Sequence, residues 1–350
     1  LCFAVTLLIL WNRVYRISYG DSFLPSQYCR VADRVQNMTE TEAEKYFSEE
    51  QQEYDPVRSV IQKEWRSAHN YENYLDKIRS GGSGGLRGLG KNVYQERLQK
   101  KLQTKYREMD PAEVSFAGGR GVSLFCHTDV ADMMAVLMML LIIFRLVVWE
   151  AESGMDGINM AARNGAAWLT RIKWAVGLMA SAAVLLVQLY KLRLYTSAYG
   201  FTGWNRVIQV LPEFVGVDRR ITVYWFVCVF LVCKTAGFLL LYTIFFWLAC
   251  VGRSAVRTVI LYGLFTGVSL FTAYGISLSG YLAVLRYFSL AQCINQEMLL
   301  SGYHALKLFQ YPVSYLGLWT AVSCVIFFVL AGLIFLFYQN SYTGKVKKGY

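Results

Sequence analysis

After residue 130 the chain consists of long apolar runs that are separated by short polar turns. Five runs follow one another in this part, at residues 133–149, 174–190, 221–251, 256–285 and 316–338. About 20 apolar residues are enough for an α-helix to cross the hydrocarbon core of a bilayer. The runs are longer than the strands of a membrane barrel, and their polarity does not alternate. The pattern therefore predicts transmembrane helices.

A shorter apolar run opens the chain, and it is too short to cross a bilayer alone. Its eleven residues, LCFAVTLLILW, precede Asn12. We expect residues 1–11 to be the end of a first transmembrane helix that begins before Leu1, and the alternative is the apolar core of a signal peptide. With the first interpretation, the sequence predicts an all-α polytopic membrane protein with six transmembrane helices, the first of them truncated.

The polar block at residues 12–129 differs from everything that follows it. Two of its stretches place apolar residues at helical spacing, which predicts amphipathic helices. In the first stretch these residues are Val57, Ile61, Trp65 and Ala68. The glycine-rich sequence SGGSGGLRGLG at 80–90 is typical of a flexible linker between such helices. The block is therefore predicted to be a helical extramembrane domain between helices 1 and 2.

Basic residues beside the predicted helices indicate the orientation of the chain. VGRSAVR lies between helices 4 and 5 and GKVKKG follows helix 6. Such segments stay on the cytoplasmic side, or on the matrix or stromal side in an organelle, and six helices place both on that side. The domain at 12–129 is then extracytoplasmic. There the sequon at Asn37 can accept a glycan, and Cys29 and Cys126 can form a disulfide bond.

The remaining polar segments fit the same topology. Residues 130–251 hold helices 2–4, and residues 252–350 hold helices 5 and 6. The basic segment at 191–220 lies on the extracytoplasmic side between helices 3 and 4. Its aromatic and apolar residues predict that it rests in the membrane interface, with Trp204 and Phe214 as anchors.

The composition supports a membrane protein and narrows its chemistry. Of the 350 residues 55% are hydrophobic and 17% are charged, and the mean hydropathy is +0.33, so the excess of apolar residues must face lipid. The net charge of +11 suits anionic lipid head groups, and without basic stripes that alternate with aromatic residues we expect no nucleic-acid partner. The eight cysteines form no C-x-x-C pair and the three histidines show no metal-binding spacing, so we expect no metal, no cofactor and no enzymatic activity.

Lys234 is the charge that most needs an explanation, because it lies deep within the run at 221–251. A charge at the centre of a transmembrane helix costs about 2.5–3.5 kcal/mol on insertion scales. We therefore expect Lys234 to face other helices and a partner. Its role is either that of a buried structural ion pair or one in gating or conduction. The fourth run has no Arg-x-x-Arg repeat, which excludes a conventional voltage sensor.

The stretch SLAQCINQEMLLSG at 289–302 lies between the last two apolar runs and is too short and too polar to cross a bilayer. Its apolar residues fall on one helical face, and its polar residues fall largely elsewhere. Two interpretations fit this pattern. One is a re-entrant pore helix that is enclosed by protein or lines water, and the other is a helix that lies flat on the membrane surface.

Two stretches in this part match a known pattern. They are YFSLAQCINQEMLLSG at 287–302 and YLGLWTAVSCVIFFVLAGLIFLFYQNSYTGKVK at 315–347. The first resembles the pore helix, and the second the last transmembrane helix, of the polycystin-like branch of the transient receptor potential cation channels. The local similarity covers about residues 287–348, and the order of polar and apolar blocks is also that of the family.

The resemblance implies roles for several residues. It implies a pore and filter region at Gln296, Glu297, Ser301, Gly302 and Tyr303. It implies a gate lined by Leu330, Leu333 and Phe337. It also places Lys234 where the family tends to carry a lysine in its fourth helix.

The sequence thus leaves two functional hypotheses. The first is a subunit of a tetrameric cation channel in a plasma or ciliary membrane. The second is a non-catalytic accessory or scaffold subunit of a large membrane complex, such as a respiratory or ATP synthase assembly in an organellar inner membrane. In both, the partners are the lipid bilayer and further subunits.

Overall fold

The structure is a computed structural model that describes most of the chain. The described residues are Thr6 and residues 9–10, 23–49, 55–80, 93–155, 158, 165–271, 290–308 and 311–346. Most of the predicted first helix, the glycine linker after Ser80 and the second half of the predicted fifth helix lie outside them. Within them the chain is mostly helical.

Internal contacts divide the chain into two compact units. The polar unit comprises Leu1–Thr128, Gln188–Leu231 and Glu297–Leu316. The apolar unit comprises Asp129–Val187, Val232–Gln296 and Gly317–Tyr350. The polar unit therefore contains the predicted domain at 12–129, apart from Asp129, together with two shorter segments from later in the chain.

The first part of the polar unit is helical, as its sequence predicts. Its helices are α1 (Pro25–Gln36), α2 (Glu40–Glu49), α3 (Pro56–His69), α4 (Tyr71–Arg79), α5 (Val93–Tyr106) and α6 (Arg120–Cys126). The carboxylate of Asp55 accepts a hydrogen bond from the Val57 N–H at 2.9 Å, and Pro56 supplies a φ angle that suits the first helical position, so α3 begins there. Ile61 and Ala68 are buried on α3, which confirms its predicted apolar face.

A β-hairpin corrects the prediction that the fold is all-α. Strand β1 (Ala305–Leu308) pairs antiparallel with β2 (Tyr311–Ser314), with Ala305 opposite Ser314. The Lys101 ammonium of α5 donates to the Pro312 carbonyl of β2 at 2.9 Å. Two four-residue strands that include a proline leave only a weak β pattern in the sequence.

The core of the polar unit encloses a carboxylate. Tyr28 is fully buried, and its hydroxyl donates to Glu64 at 2.6 Å, which joins α1 to α3. Glu64 is only 5% exposed, whereas the predicted core residue Trp65 is half-buried. Burial raises the pKa of Tyr28 well above its usual range, and the Glu64 carboxylate raises it further. The hydrogen bond from a neutral phenol therefore satisfies the buried carboxylate.

We expect the polar unit to lose stability at alkaline pH because several of its tyrosines are buried. Burial raises the pKa of Tyr71 to about 12, and it raises the pKa of Tyr28 and of Tyr106 as well. These phenols ionise near pH 10 in the unfolded chain but stay protonated in the folded one. Their contribution to the stability of the fold is therefore present below about pH 10 and is lost as the pH rises. The free energy of unfolding should then fall by up to about 1.4 kcal/mol per pH unit for each such tyrosine.

Chemical unfolding of the full chain between about pH 9 and pH 11, followed by tyrosinate absorbance, measures this effect. Tyr71→Phe is a matched control, because the Tyr71 hydroxyl is buried and has no hydrogen-bond partner among the described residues. The substitution should reduce the slope above pH 10 and leave the stability at neutral pH nearly unchanged. A stability that stays constant to pH 11 would contradict the prediction.

The segment at 191–220 is folded into the polar unit. Two 3-10 turns, Ile208–Val210 and Pro212–Phe214, shape it. The side chain of Phe214 is fully buried, and its ring lies 4.6 Å from that of Phe226. The predicted anchoring of Phe214 in the membrane interface is therefore wrong, because its apolar surface is covered by protein.

Four helices among the described residues are long and apolar enough to cross a membrane, which makes the chain an integral membrane protein. They span Arg120–Glu152, Trp168–Ala198, Val223–Gly252 and Tyr315–Gln339. The elements of this part are α7 (Val130–Ile143), a π-helical turn (Phe144–Val148), α8 (Trp149–Glu152), α9 (Gly165–Ala198), α10 (Val223–Gly252), α11 (Ala255–Leu270), α12 (Leu290–Ile294), α13 (Glu297–Leu300) and α14 (Tyr315–Val346). Helix α11 is the described part of the predicted fifth transmembrane helix.

Candidate functional site

Lys234 has the buried partner that its position in the sequence predicts. Its ammonium lies 2.8 Å from the carboxylate of Asp132, and the two side chains are 1% and 0% exposed. Asp132 occupies the first turn of α7, where its carboxylate also accepts the Asp129 N–H at 3.1 Å. The Asp129 carboxylate in turn accepts the N–H of Ala131 at 3.0 Å. This reciprocal capping box holds the carboxylate of Asp132 in place for the lysine of α10.

A second buried ion pair lies in the same unit and was not predicted. The Lys173 ammonium of α9 lies 2.7 Å from the carboxylate of Glu150 and is 2% exposed. It also donates to the hydroxyl of Tyr338 on α14 at 3.1 Å. The Tyr242 hydroxyl of α10 donates to the Lys173 carbonyl at 2.7 Å. The third apolar run begins at Trp174, one residue after Lys173, so the run itself gives no signal for this pair.

The two carboxylates lie near opposite ends of one helical stretch. Asp132 and Glu150 are 18 residues apart, which is about 27 Å at 1.5 Å per residue and close to the thickness of the hydrocarbon core. Lys234 therefore pairs at the level of the first turn of α7. Each ammonium has a countercharge, so neither is exposed alone to hydrocarbon.

The described part of the segment, residues 290–302, forms two short helices, whereas the sequence predicts one. Helix α12 ends at Ile294 and α13 begins at Glu297. Between them Gln296 is fully buried, and its side-chain amide donates to the carbonyls of Gln292 and Cys293 at 3.0 and 3.1 Å. This amide caps the last turn of α12. Gln296 is therefore enclosed by protein, and its amide N–H groups are used inside the segment.

Helix α10 approaches α12 very closely at a glycine. A Cβ atom placed on Gly237 would lie 2.3 Å from the Cys293 carbonyl oxygen and 3.1 Å from the side-chain nitrogen of Gln296. Only glycine leaves room for this contact of backbone with backbone. Gly237 lies three residues after Lys234 on α10. The part of α10 that forms the ion pair therefore also lies against the break between α12 and α13.

Glu297 has its partner within the polar unit. Its carboxylate contacts the Nδ1 atom of His127, the residue that follows α6. The ammonium of Lys191 is fully buried and donates to the His127 carbonyl at 2.8 Å. The predicted filter residue Glu297 is thus held by the segment that precedes α7.

The other predicted filter residues also make contacts within the polar unit. The Tyr303 N–H donates to the Gly216 carbonyl at 3.2 Å, and Gly302 forms a parallel bridge with Gly216. The Lys105 ammonium lies 4.5 Å from the centre of the Tyr303 ring. The Ser301 hydroxyl lies 3.3 Å from a ring nitrogen of His304. The structure therefore brings two of the filter candidates, Gly302 and Tyr303, next to Gly216 in the loop between α9 and α10.

The three predicted gate residues lie on α14, the least buried of the four membrane-crossing helices among the described residues. Only 6% of its apolar window is buried, against 56% for α10. Leu333 is 39% exposed, Leu330 is half-buried, and the Arg253 guanidinium lies 4.7 Å from the centre of the half-buried Phe337 ring. Their spacing of three and four residues places the three side chains on one face.

The predicted disulfide bond is not formed. Cys29 and Cys126 are both thiols in the described part of the chain. The Cys29 sulfur instead lies 3.5 Å from the Ala198 carbonyl, and burial raises the pKa of its thiol. The sequon residue Asn37 follows α1 and is exposed, with its amide donating to the Asp33 carbonyl at 2.8 Å. Its exposure leaves it accessible to modification.

One group of potential metal ligands lies among the described residues, although none was predicted. Ligand atoms of Glu40, Glu44 and His69 lie within 4.8 Å of one another. The His69 ring nitrogen is 2.7 Å from the carboxylate of Glu40, and all three side chains are exposed. The two carboxylates are one turn apart on α2, but the histidine is contributed by the end of α3, so sequence spacing gave no signal.

Comparison of the chain with protein-family models, with curated proteins and with solved structures gives no match in any of the three. The resemblance to the polycystin-like channels therefore rests on the sequence stretches themselves.

Proposed function

We propose that the chain is a subunit of a cation channel of the polycystin-like branch of the transient receptor potential family. The observation that carries this proposal is the broken helix pair α12 and α13. It lies between the fifth and the last apolar helices, and its buried Gln296 closes the break. Irregular backbone is tolerated at membrane depth only where protein or a water-filled cavity encloses it, as it does at a pore entrance.

The three chain segments that form the polar unit support six membrane crossings. Its three parts lie before the second helix, between the third and fourth, and between the fifth and sixth helices of the predicted topology. In a chain that crosses the membrane six times, these are the three segments that share the extracytoplasmic side. A single compact unit can form from them only if they do share a side.

Glycosylation of Asn37 tests this topology. We expect the chain, expressed in cells with a secretory pathway, to carry a glycan that an endoglycosidase removes, because Asn37 is exposed and extracytoplasmic in the proposal. Asn37→Gln should abolish the shift in electrophoretic mobility. Thr39→Ser is the matched control, because it preserves the sequon and should preserve the shift. A C-terminal tag and Glu64 found on the same face by protease protection would contradict the topology.

In the channel, α10 acts on the pore region through its contact with α12. Lys234 fixes α10 to α7 through Asp132, and Gly237 brings α10 against the last carbonyls of α12. A displacement of α10 therefore moves the break between α12 and α13. Opening is a rearrangement of α14 in which Leu330, Leu333 and Phe337 leave the axis.

Single-channel recording from the purified chain in planar bilayers tests conduction. We expect a cation current, about four copies per particle, and a lower unitary conductance for Glu297→Gln, because the carboxylate is the only acid among the proposed filter residues. Glu213→Gln, a change of the same kind at another position of the polar unit, should leave conductance unchanged. One copy per particle without current under any ligand or voltage would overturn the proposal.

The second candidate is a non-catalytic scaffold subunit of a large membrane assembly. The observation in its favour is that Glu297, Gly302 and Tyr303 all bind groups of their own chain. A selectivity filter presents its oxygen atoms to ions. Residues that already bind groups of their own chain are less available to coordinate ions. Isolation of the chain in a stable complex with other proteins, one copy in each, would favour this candidate.

A further inference from the structure

A groove in the apolar unit is not used by the proposed pore. It lies between α9 and α14 and has a volume of about 430 Å³. Its main lining residues are Arg171, Trp174, Ala175, Leu178, Ala331 and Phe335. One alanine comes from each helix, and their small side chains leave a gap that larger residues would fill. A volume of this size is in the range of ligand sites.

The groove is polar at one end and apolar along the rest of its length. On α9 its lining advances from Arg171 through Ala175 to Leu178, a distance of about 10 Å along the helix axis. Trp174 forms part of the wall, and its ring packs edge-on against that of Phe327 at 5.7 Å. A ligand that matches this lining has an anionic end and an apolar tail.

The charge of Arg171 is available to such a ligand. Its side chain is exposed, and none of the described carboxylates forms an ion pair with it. Two acids among the described residues before α9 are engaged, since Glu150 pairs with Lys173 and Glu152 accepts the N–H of Ala255 at 2.6 Å. Arg171 is also three residues from Trp168, which is the first residue of the membrane-crossing part of α9. We therefore expect its guanidinium to lie at the depth of the lipid head groups.

The surroundings of the groove indicate a lipid as its occupant. Leu178 is 57% exposed and Phe335 is 44% exposed, and both belong to helices that are apolar enough to cross a membrane. We propose that the groove binds one anionic phospholipid, with its phosphate on Arg171 and an acyl chain along Trp174, Leu178 and Phe335. This site is independent of whether the chain conducts ions.

Quenching of Trp174 fluorescence by brominated lipids tests the site. The full chain is reconstituted in phosphatidylcholine vesicles that contain either brominated phosphatidylglycerol or brominated phosphatidylcholine at the same mole fraction. The difference between the chain and its Trp174→Phe variant isolates the signal of Trp174. We expect phosphatidylglycerol to be preferred by about fivefold, the effect of one basic side chain at a membrane surface.

Four variants separate the contributions of charge and groove. Arg171→Gln should abolish the preference, and Arg171→Lys should keep it, because the point charge is retained. Arg257→Gln removes an exposed basic residue of α11 outside the groove and should leave the preference intact. Ala331→Leu fills the groove and should reduce quenching by both lipids.

Native mass spectrometry of the detergent-purified chain provides a second measurement that does not depend on Trp174→Phe folding. We expect the chain to retain phosphatidylglycerol over phosphatidylcholine by about fivefold and Arg171→Gln to lose this preference. Equal quenching by the two lipids, or a preference that survives Arg171→Gln, would overturn the proposal. A third result would also overturn it. If neither lipid quenches Trp174 and each particle holds two chains, a second copy covers the groove.

Discussion

Asp132→Asn is expected to lower the free energy of unfolding by about 3–5 kcal/mol, the usual cost of removing one partner of a buried ion pair. The amide retains an oxygen that can accept the Asp129 N–H, so the cap of α7 is preserved. What disappears is the countercharge of Lys234, whose side chain is 1% exposed. Titration of the protein in mixed micelles with a denaturing detergent measures the loss.

The double variant Asp132→Asn/Lys234→Met distinguishes an ion pair from a general effect of mutation. Replacement of a buried ion pair by neutral groups is often close to neutral, because the desolvation of both charges is removed together. We therefore expect the double variant to recover more than half of the stability lost in Asp132→Asn. If the two substitutions are additive, Lys234 does not depend on Asp132 for its countercharge.

Gly237→Ala is expected to destabilise the protein by about 1–3 kcal/mol, as overpacking does in other cores. The added methyl group would lie 2.3 Å from the Cys293 carbonyl oxygen, which is backbone and cannot rotate away. Helix α12 must then separate from α10. Because Cys293 is only 5% exposed in the native chain, faster maleimide labelling of its thiol, followed by peptide mass spectrometry, reports this movement.

Gly263→Ala is the matched control for this prediction. It makes the same change in α11, where a Cβ atom meets nothing within 4 Å. Alanine favours the helix over glycine by up to about 1 kcal/mol, so the control should be neutral or slightly stabilising. Equal effects of the two substitutions would show that Gly237 has no special contact with α12.

The apolar runs predicted membrane-crossing helices because backbone groups in hydrocarbon must bond within their own helix. The ends of these helices were less predictable. The second and third were expected to begin at Met133 and Trp174, one residue after Asp132 and Lys173 respectively. Hydropathy treats such charges as hydrated, whereas each is buried beside an opposite charge that is distant in sequence. The partner of Lys234 was expected, but its identity could not be derived from spacing.

The candidate pore segment is helical as predicted, but two of its polar side chains are buried. The amphipathic pattern at 289–302 correctly indicated helix, and it placed Gln292 and Gln296 on a polar face. The structure buries both side chains, at 6% and 0% exposure. A buried amide that caps its own helix has the same sequence signature as one that faces water, so the break at Gln296 was not predictable. The contacts of Gly216 with Gly302 and Tyr303 join residues far apart in the chain and left no local pattern.

The two buried ion pairs become able to form at different times during synthesis of the chain. Glu150 meets Lys173 after 23 further residues, so this pair can close as soon as α9 has left the ribosome. Asp132 is separated from Lys234 by 102 residues. Until α10 is synthesised, Asp132 lacks the ammonium of Lys234, and an acid without this countercharge disfavours release of its helix from the translocon into lipid. We therefore expect cooperative insertion, with α7 through α10 entering the bilayer as one group.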